Sequence, residues 1–385
     1  MLVARGLLGE QPLQRCHDRR ALRLRGLRSD LDEHGFSLKQ ISPGDDAKPV
    51  ARLALVICLC ALAMAAPASS APSSRSWADR EIRLVTAHGL MGGDSTAFRP
   101  DDLLTAEELA DLVGGLSGNP PLTTTDPEAP VTVAQLDAAL VRGLALGDGA
   151  REFAVVTRSA GLTPPNRFGT EVVARLLGFR TDHADDSLEP GPGDPVTRAE
   201  AAFSAAKILR WKGWETQYAS DLAAGFDLPA VNSWPRRVLR QAVVLIGYPY
   251  IRGGTSELAQ APFGVEVPGG FDCSGLLWRV YKLAGYAAGT GLADTLRGRT
   301  TYAMSGEVPR TSRISFAALE PADVVFFGSK GPRSKPAQID HAGIYLGGGW
   351  MIHASGTGVS LAPLQGTWRK RFAWARRPLA EAGLG

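Results

Sequence analysis

Two apolar patterns in the C-terminal half of the chain predict helices. One lies between Pro235 and Gly247 and the other between Asp272 and Gly285, and in both the apolar residues recur at helical spacing. Pro favours the first turn of a helix, Asp is a good N-cap residue, and Gly commonly follows the last turn. The second helix is therefore predicted to begin at Cys273.

Two strand-like runs follow, at residues 339–346 and 350–354, and three glycines separate them. This arrangement is typical of a β-hairpin. If the glycines form the loop, Gly343 lies opposite His353, and His341 lies diagonally from His353 on the same face of the sheet. A register slip by one residue would place the two imidazoles on opposite faces.

Upstream, residues 76–214 have the pattern of short helices joined by loops rich in Gly, Pro and Asp. A weak repeat consists of a helix, a loop and a second helix that begins with Thr. Thr followed three residues later by Glu or Gln is typical of a capping box, which satisfies free N–H groups of the first turn. Three such pairs mark three units, the middle one degraded: Thr105 with Glu108, Thr132 with Gln135, and Thr197 with Glu200. We expect an all-α repeat domain, a linker at 215–234, and a second domain at 235–385.

The N-terminal stretch is predicted to be a leader. An apolar run at 53–65 follows Arg52 and precedes the A-x-A sequence that ends at Ala68, which indicates a signal peptide at 50–68. The run is too short for a stable membrane span, so none is expected after cleavage. A short core helix is the alternative interpretation. Residues 1–49 are an uncertain extension, and our hypothesis is that translation starts downstream of Met1.

Charge and cysteine content narrow the class of protein. The chain has 385 residues and a net charge of only +3, which argues against a nucleic-acid partner. Of the four cysteines, only Cys273 remains after cleavage near Ala68. A lone cysteine in an exported protein is a candidate reactive thiol, whereas a small buried apolar residue is the plain alternative.

The surroundings of Cys273 favour a reactive thiol over a buried apolar residue. The partial positive charge at a helix start favours the thiolate, which is the nucleophilic form. Histidine is the side chain best suited to accept a proton and return it to a leaving amine. We therefore expect His341 to be the base and His353 to orient it. A zinc site formed by the same three residues lacks a fourth ligand, so no metal or other cofactor is expected.

The motifs around these residues resemble those of the NlpC-type cell-wall peptidases. The matching segments are 247–254, 271–276, 299–301, 319–327, 340–347 and 352–354. The resemblance implies a papain-like α+β fold, in which a helix bearing the cysteine packs on an antiparallel sheet bearing the histidine. It also implies that Cys273 is the nucleophile, that His341 and His353 complete the catalytic set, and that Tyr250, Asp272 and Ser274 lie along the substrate groove.

Three departures from the family pattern concern the groove. Arg252 stands where the family usually has Trp, and its guanidinium suits a substrate carboxylate. The stretch 255–269 is longer than usual, and Ala322 replaces a usual Gly at a turn. These departures leave the three catalytic positions intact and affect fine specificity.

The repeats of residues 76–214 resemble the S-layer homology unit, which in exported bacterial proteins grips cell-wall polysaccharide. The sequence Thr-Arg-Ala-Glu of that unit is complete only at Thr197–Glu200, so polysaccharide binding and a plain helical spacer remain alternatives.

Together these features predict a secreted, wall-located thiol endopeptidase that cuts peptidoglycan stem peptides. The resemblance implies the bond between D-γ-glutamyl and a diamino acid as its target. The alternatives are a wall-binding protein without turnover and an amidase that acts on the same material.

Overall fold

The computed structural model describes residues 76–121, 123–181, 183, 189–286 and 289–385. The extension predicted at 1–49 and the signal peptide predicted at 50–68 lie outside these residues. Ser74–Gly385 forms one compact unit. Within the described ranges, no helix is both long enough and apolar enough to cross a bilayer.

The N-terminal half of this unit is helical, as predicted. Its helices are α1 Asp79–Ala87, α2 Ala106–Ser117, α3 Val133–Gly143, α4 Gly147–Ser159, α5 Phe168–Leu176 and α6 Arg198–Leu209.

A closed ring of backbone hydrogen bonds joins the three predicted units. Leu104 N–H donates to Val196 O (2.9 Å), Val196 N–H to Val131 O (2.9 Å), and Val131 N–H to Leu104 O (3.1 Å). All three side chains are buried. Each loop thus donates one backbone hydrogen bond to a neighbouring loop and accepts one from the other. The ring therefore requires all three units, including the degraded middle one.

The predicted caps are present, with one difference in the third unit. Thr105 with Glu108 and Thr132 with Gln135 form complete capping boxes at α2 and α3. Thr197 accepts a hydrogen bond from Glu200 N–H at α6, but the Glu200 carboxylate is hydrogen-bonded to His183 instead (2.8 Å). The third cap is therefore half of the predicted box.

The region 215–234, which we expected to be a linker, is part of the folded core. It contains helix α7, Glu215–Ala224, which packs on α4. Phe226, Leu228 and Val231 are buried after it. Polar and small residues suggested a linker, but the large aliphatic and Phe side chains of this stretch are buried in the core.

The C-terminal half has the predicted α+β architecture. A five-stranded antiparallel sheet has the order β6-β5-β4-β3-β7, and a separate two-stranded sheet is formed by β1 and β2. The strands are β1 Thr255–Ser256, β2 Gly270–Phe271, β3 Val324–Gly328, β4 Ile339–Gly347, β5 Trp350–Ser355, β6 Gly358–Pro363 and β7 Phe372–Arg376. The helices are α8 Ser233–Val243, α9 Cys273–Tyr281, α10 Leu292–Thr295, α11 Thr301–Gly306, α12 Gly366–Arg371 and α13 Pro378–Glu381. Helix α9 packs on β4 and β5.

Ala322 precedes β3 with a left-handed backbone, at φ +72°. Two hydrogen bonds hold it there: its N–H donates to Tyr345 O (2.8 Å), and its carbonyl accepts from Tyr281 Oη (2.6 Å). This is the turn where the sequence departs from a usual Gly. These contacts offset the steric cost that a Cβ incurs in this conformation.

Two guanidinium groups, of Arg175 in α5 and of Arg167 at its N-cap, bind the backbone of the C-terminal half. Arg175 donates to the carbonyl oxygens of Gly247 and Thr357, and it is paired with Glu189 (2.6 Å). Both side chains of this ion pair are almost fully buried, with 1% and 2% exposed. Arg167, at the start of α5, donates to Val244 O (2.7 Å). The helical region thus braces the turn after α8 and the turn between β5 and β6.

We predict that Glu189→Gln lowers the free energy of unfolding by about 3 kcal/mol, because removal of one partner of a buried ion pair leaves the other charge uncompensated. Urea unfolding of the full chain measures the change. The control is Asp148→Asn, which breaks an exposed ion pair with Arg151 and should leave the midpoint unchanged. Equal midpoints for Glu189→Gln and the unmodified chain would contradict the prediction.

Candidate functional site

Cys273 is the first residue of helix α9, as predicted from its N-cap. The Asp272 side chain accepts a hydrogen bond from Gly275 N–H (2.5 Å), which fixes the start of the helix. A Cβ at Gly275 would lie 1.8 Å from Gly254 O. Glycine at this position therefore lets the start of α9 lie directly against the chain segment that follows Tyr250.

The thiol of Cys273 lies where the helix start meets strand β4. The N–H groups of Ala342, Ser274 and Cys273 are directed at the sulfur and lower its pKa. Burial, and after it the charge of Asp272, outweighs them and raises the pKa of the thiol to about 12. Because loss of hydration exceeds the effect of the helix start, the resting group is a neutral thiol. This differs from the thiolate expected from the sequence.

The two histidines meet on one face of the sheet, as predicted. In β4 and β5, Ile344 pairs with Ile352, which is the predicted register, and a bulge follows near the glycine turn. His341 Nε2 lies 2.9 Å from His353 Nδ1. Ala342, whose N–H faces the thiol, is adjacent to His341 in β4.

Burial keeps both imidazoles neutral. It holds the pKa of His341 well below its usual value of 6.5, with His353 and Arg371 contributing in the same direction. It also lowers the pKa of His353 to about 4. If His341 Nε2–H donates to His353 Nδ1, then His341 Nδ1 carries the lone pair. The site can therefore accept a proton from the neutral thiol.

Trp368 of α12 covers the imidazole pair, and no sequence pattern singled this residue out. Its ring lies 4.9 Å from that of His341 and 5.0 Å from that of His353, measured between centroids. It also packs edge-on against Phe327 of β3, at 5.0 Å. Trp368 stands in a basic run without apolar periodicity, so only the tertiary structure places it here.

The predicted groove residues are close to the thiol but differ in exposure. Tyr250 forms a bridge with Phe271, two residues before Cys273. Ser274 is buried and donates to Asp272 Oδ1 (2.9 Å). Arg252 is exposed, and its guanidinium lies 6.0 Å from the Phe263 ring centroid. These positions agree with a groove beside α9, while their roles in binding stay predictions.

The long stretch 255–269 forms a hairpin that leads, through β2, to helix α9 and its first residue, Cys273. β1 pairs with β2, and Gln260 bridges Val267 near the tip. The apolar side chains of Leu258, Phe263 and Val265 are each at least two thirds exposed. The hairpin lies beside Arg252, whose guanidinium is close to the Phe263 ring.

Across the described ranges, no cluster of three or more His, Cys, Asp or Glu side chains has the geometry of a metal site.

Comparison with known proteins agrees with both resemblances. Residues 247–377 match the sequence model of the NlpC/P60 family, and residues 71–110 match that of the S-layer homology domain. The second match covers only the first of the three units.

Three curated relatives each align with about a third of this chain. Probable endopeptidase Rv2190c of Mycobacterium tuberculosis (strain ATCC 25618 / H37Rv) is 33% identical over 122 residues, which are 32% of this chain and 24% of that protein. Probable peptidoglycan endopeptidase LytE of Bacillus subtilis (strain 168) is 32% identical over 142 residues, covering 37% and 34%. Gamma-D-glutamyl-L-lysine dipeptidyl-peptidase of Bacillus subtilis (strain 168) is 28% identical over 147 residues, covering 37% and 41%. The chain thus spans less than half the length of each relative.

We predict that Gly275→Ala lowers the free energy of unfolding by about 1–3 kcal/mol, because its methyl group must displace the Gly254 backbone. Urea unfolding measures the loss. Gly93→Ala is the matched control, since a Cβ there meets nothing within 4 Å. Similar stability of the two variants would contradict the close approach of Gly254 to α9.

Proposed function

Because residues 247–377 form an NlpC/P60 domain, we propose that the protein is a peptidoglycan endopeptidase that acts through a thiol. One observation carries the proposal. A helix-start cysteine faces the N–H group next to His341, and His341 is bonded to a second imidazole at 2.9 Å. Nucleophile, base and orienting group thus occur together, as nucleophilic catalysis requires.

The proposed reaction begins from the neutral thiol and the neutral imidazole. The sulfur attacks the carbonyl carbon of the scissile amide while its proton passes to His341 Nδ1. His341 then protonates the leaving amine, the C–N bond breaks, and a thioester to Cys273 remains. Water, deprotonated by His341, hydrolyses the thioester and restores the thiol.

The developing oxyanion requires preorganised donors. Backbone N–H groups at the start of α9 are the candidates, because the first N–H groups of a helix lack intrahelical partners. The Cys273 N–H already points towards the sulfur, so a carbonyl attacked there lies within its reach.

His353 has the role of an orienting group. Its Nδ1 accepts from His341 Nε2–H, which selects the tautomer with a basic Nδ1. Its own Nε2 lies 3.5 Å from Ser360 Oγ. Because water can replace an orienting partner in part, its loss should be less severe than loss of His341.

We propose the D-γ-glutamyl–diamino acid bond as the target. Support comes from the resemblance of the motifs and from the name of the Bacillus subtilis relative, a gamma-D-glutamyl-L-lysine dipeptidyl-peptidase. We further propose that the protein acts at the cell wall, where the S-layer homology match at 71–110 would help to retain it.

Arg198 of the helical region would not bind polysaccharide. This residue of the Thr-Arg-Ala-Glu sequence is 7% exposed, is paired with Glu108, and donates to Phe98 O (2.8 Å). It ties the third unit to the first. Wall binding would therefore rely on other, exposed side chains.

We predict that Cys273→Ala abolishes release of muropeptides from purified wall and that His341→Ala lowers the rate by roughly 10²–10⁴-fold. His353→Ala should be less impaired than His341→Ala. Mass spectrometry of the products measures both rate and bond. New diamino acid amino termini support the proposed bond, whereas free lactyl ends indicate an amidase. Full activity of Cys273→Ala would refute the mechanism.

We predict that Trp368→Ala moves the acid limb of kcat/KM to higher pH. The base form of His341 is required, and its lowered pKa keeps that form populated below pH 6.5 in the unmodified protein. Removal of the indole hydrates both imidazoles, which raises their pKa towards the ordinary value.

The pH dependence of stem-peptide hydrolysis measures the shift. Trp368→Phe is the conservative control and should keep the acid limb near its original position. Superimposable acid limbs for Trp368→Ala and the unmodified protein would show that Trp368 does not control hydration of the pair.

A further inference from the structure

Glu171 of α5 carries a carboxyl group that the proposed reaction does not use. Its side chain is wholly buried. Within the described residues, neither of its oxygens has a hydrogen-bond partner. Burial of a charged carboxylate without such partners is costly, so these surroundings favour the neutral acid.

Charged groups of both signs surround Glu171. Burial, and after it the charge of Asp137 in α3, raises the pKa of Glu171 to about 8. Three guanidinium groups oppose this rise, those of Arg175, Arg180 and Arg167. None of them donates a hydrogen bond to Glu171. Arg180, for example, donates to Asp137 Oδ1 at 2.7 Å.

Two further elements pack closely on α5, namely α4 and β6. Helix α4 buries side chains that do not ionise in this pH range: Ala150, Phe153, Ala154 and Thr157. Strand β6 has no titratable side chain. Tyr248 is the titratable residue of the turn after α8, and burial raises the pKa of its phenol, which therefore stays neutral.

The Glu171 carboxyl group lies directly against Gly247. A Cβ at Gly247 would lie 2.5 Å from Glu171 Oε2. The backbone of Gly247 is left-handed, at φ +98°, and its carbonyl accepts a hydrogen bond from Arg175. Two side chains of α5 thus hold one residue of the turn after α8.

The segment 247–254 connects this turn to the nucleophile through backbone hydrogen bonds. Its beginning pairs with β6, and the rest pairs with β2 and with the N-cap of α9. The bonds are Gly247 N–H to Val359 O (3.0 Å), Val359 N–H to Tyr248 O (2.8 Å), Phe271 N–H to Pro249 O (3.1 Å), Ile251 N–H to Phe271 O (3.2 Å) and Asp272 N–H to Gly254 O (3.3 Å). A shift of this segment would therefore displace the start of α9 and with it Cys273.

We propose that Glu171 is a positioning residue: as a neutral acid it holds the segment 247–254, and through it the start of α9, in the arrangement that the reaction requires. Ionisation of the carboxyl group loosens this segment, because the charge has no donor beside it and faces Asp137. The link from the segment to catalysis rests on the proposed function. The link from Glu171 to the segment does not.

The pH dependence follows from the direction of the shift. The pKa of Glu171 is raised from 4.5 to about 8 in the closed arrangement. Opening of the segment hydrates the carboxyl group and returns its pKa towards 4.5, so the open form binds fewer protons. The stabilisation is complete below about pH 4.5, is lost as the pH rises towards about 8, and changes no further above that value.

Hydrogen-exchange mass spectrometry of the full chain tests the inference. Protection of the amides of 247–254, corrected for the intrinsic exchange rate, should fall more than about tenfold between about pH 6 and pH 8. The reason is that linkage to one group changes an opening equilibrium by about tenfold per pH unit within this window. In Glu171→Gln, which keeps the shape but cannot ionise, protection should stay nearly constant.

Glu152→Gln is the matched control, because it removes an exposed carboxylate of α4 and should behave like the unmodified chain. An equal fall of protection in Glu171→Gln and the unmodified chain would overturn the inference. Constant protection in the unmodified chain would do the same.

The unmodified chain also supplies a test that needs no variant. Helix α2 serves as the internal reference for the same pH series. Loss of protection that is confined to 247–254 and the adjoining strand β6 supports the inference. A loss of equal size in α2 would indicate general destabilisation and would overturn it.

Kinetics of stem-peptide cleavage test the positioning role. In the unmodified protein kcat should fall at an alkaline limb near pH 8, while KM changes little. In Glu171→Gln the limb should lie about one pH unit or more higher. Identical alkaline limbs would exclude a positioning role for Glu171.

The two measurements separate this inference from the proposed function. If neither protein cleaves the peptide but protection of 247–254 depends on pH through Glu171, the endopeptidase proposal fails and the link from Glu171 to the segment stands. If both proteins cleave with identical limbs and identical protection, the endopeptidase proposal stands and the role of Glu171 is wrong.

Discussion

The antiparallel register of β4 and β5 is the constraint on which the site depends. It places His341 and His353 on one face with their nitrogens 2.9 Å apart. It also places the Ala342 N–H against the sulfur of Cys273. Side chains alternate along a strand, so a slip by one residue would remove one imidazole from the site. The three-glycine turn, with positive φ at Gly347, Gly348 and Gly349, lets the two strands reverse without steric cost and so holds this register.

The helical region contributes to the site through its packing. Arg175 binds the carbonyl of Gly247, where the segment leading to Tyr250 begins, and that of Thr357, in the turn that joins the His353 strand to β6. Glu189 compensates the buried charge. A region that resembles a wall-binding repeat thus also braces two loops of the catalytic half. The three-way ring through Leu104, Val131 and Val196 keeps that region closed on itself.

Burial, more than the partial charge of the helix start, determines the pKa values of the site residues. The start of α9 directs N–H groups at Cys273, yet loss of hydration raises the pKa of its thiol to about 12 and lowers that of His353 to about 4. Burial thus favours the neutral form of both groups. Trp368 contributes to this burial, because its ring packs against both imidazoles. Asp272 acts through the backbone, because its side chain caps the start of α9 by accepting from Gly275 N–H.

The sequence by itself determined the features that depend on local chemistry: the N-cap at Asp272, the capping boxes, the glycine turn, and hence the shared face of His341 and His353. Helical and strand periodicity and capping are local, so residue order is enough to predict them. The tertiary structure decided the rest. It placed Trp368 over the imidazoles, folded the stretch 215–234 into the core, and reversed the expected ionisation of Cys273. Hydration and distant contacts are set by which segments come together, and no local pattern records that.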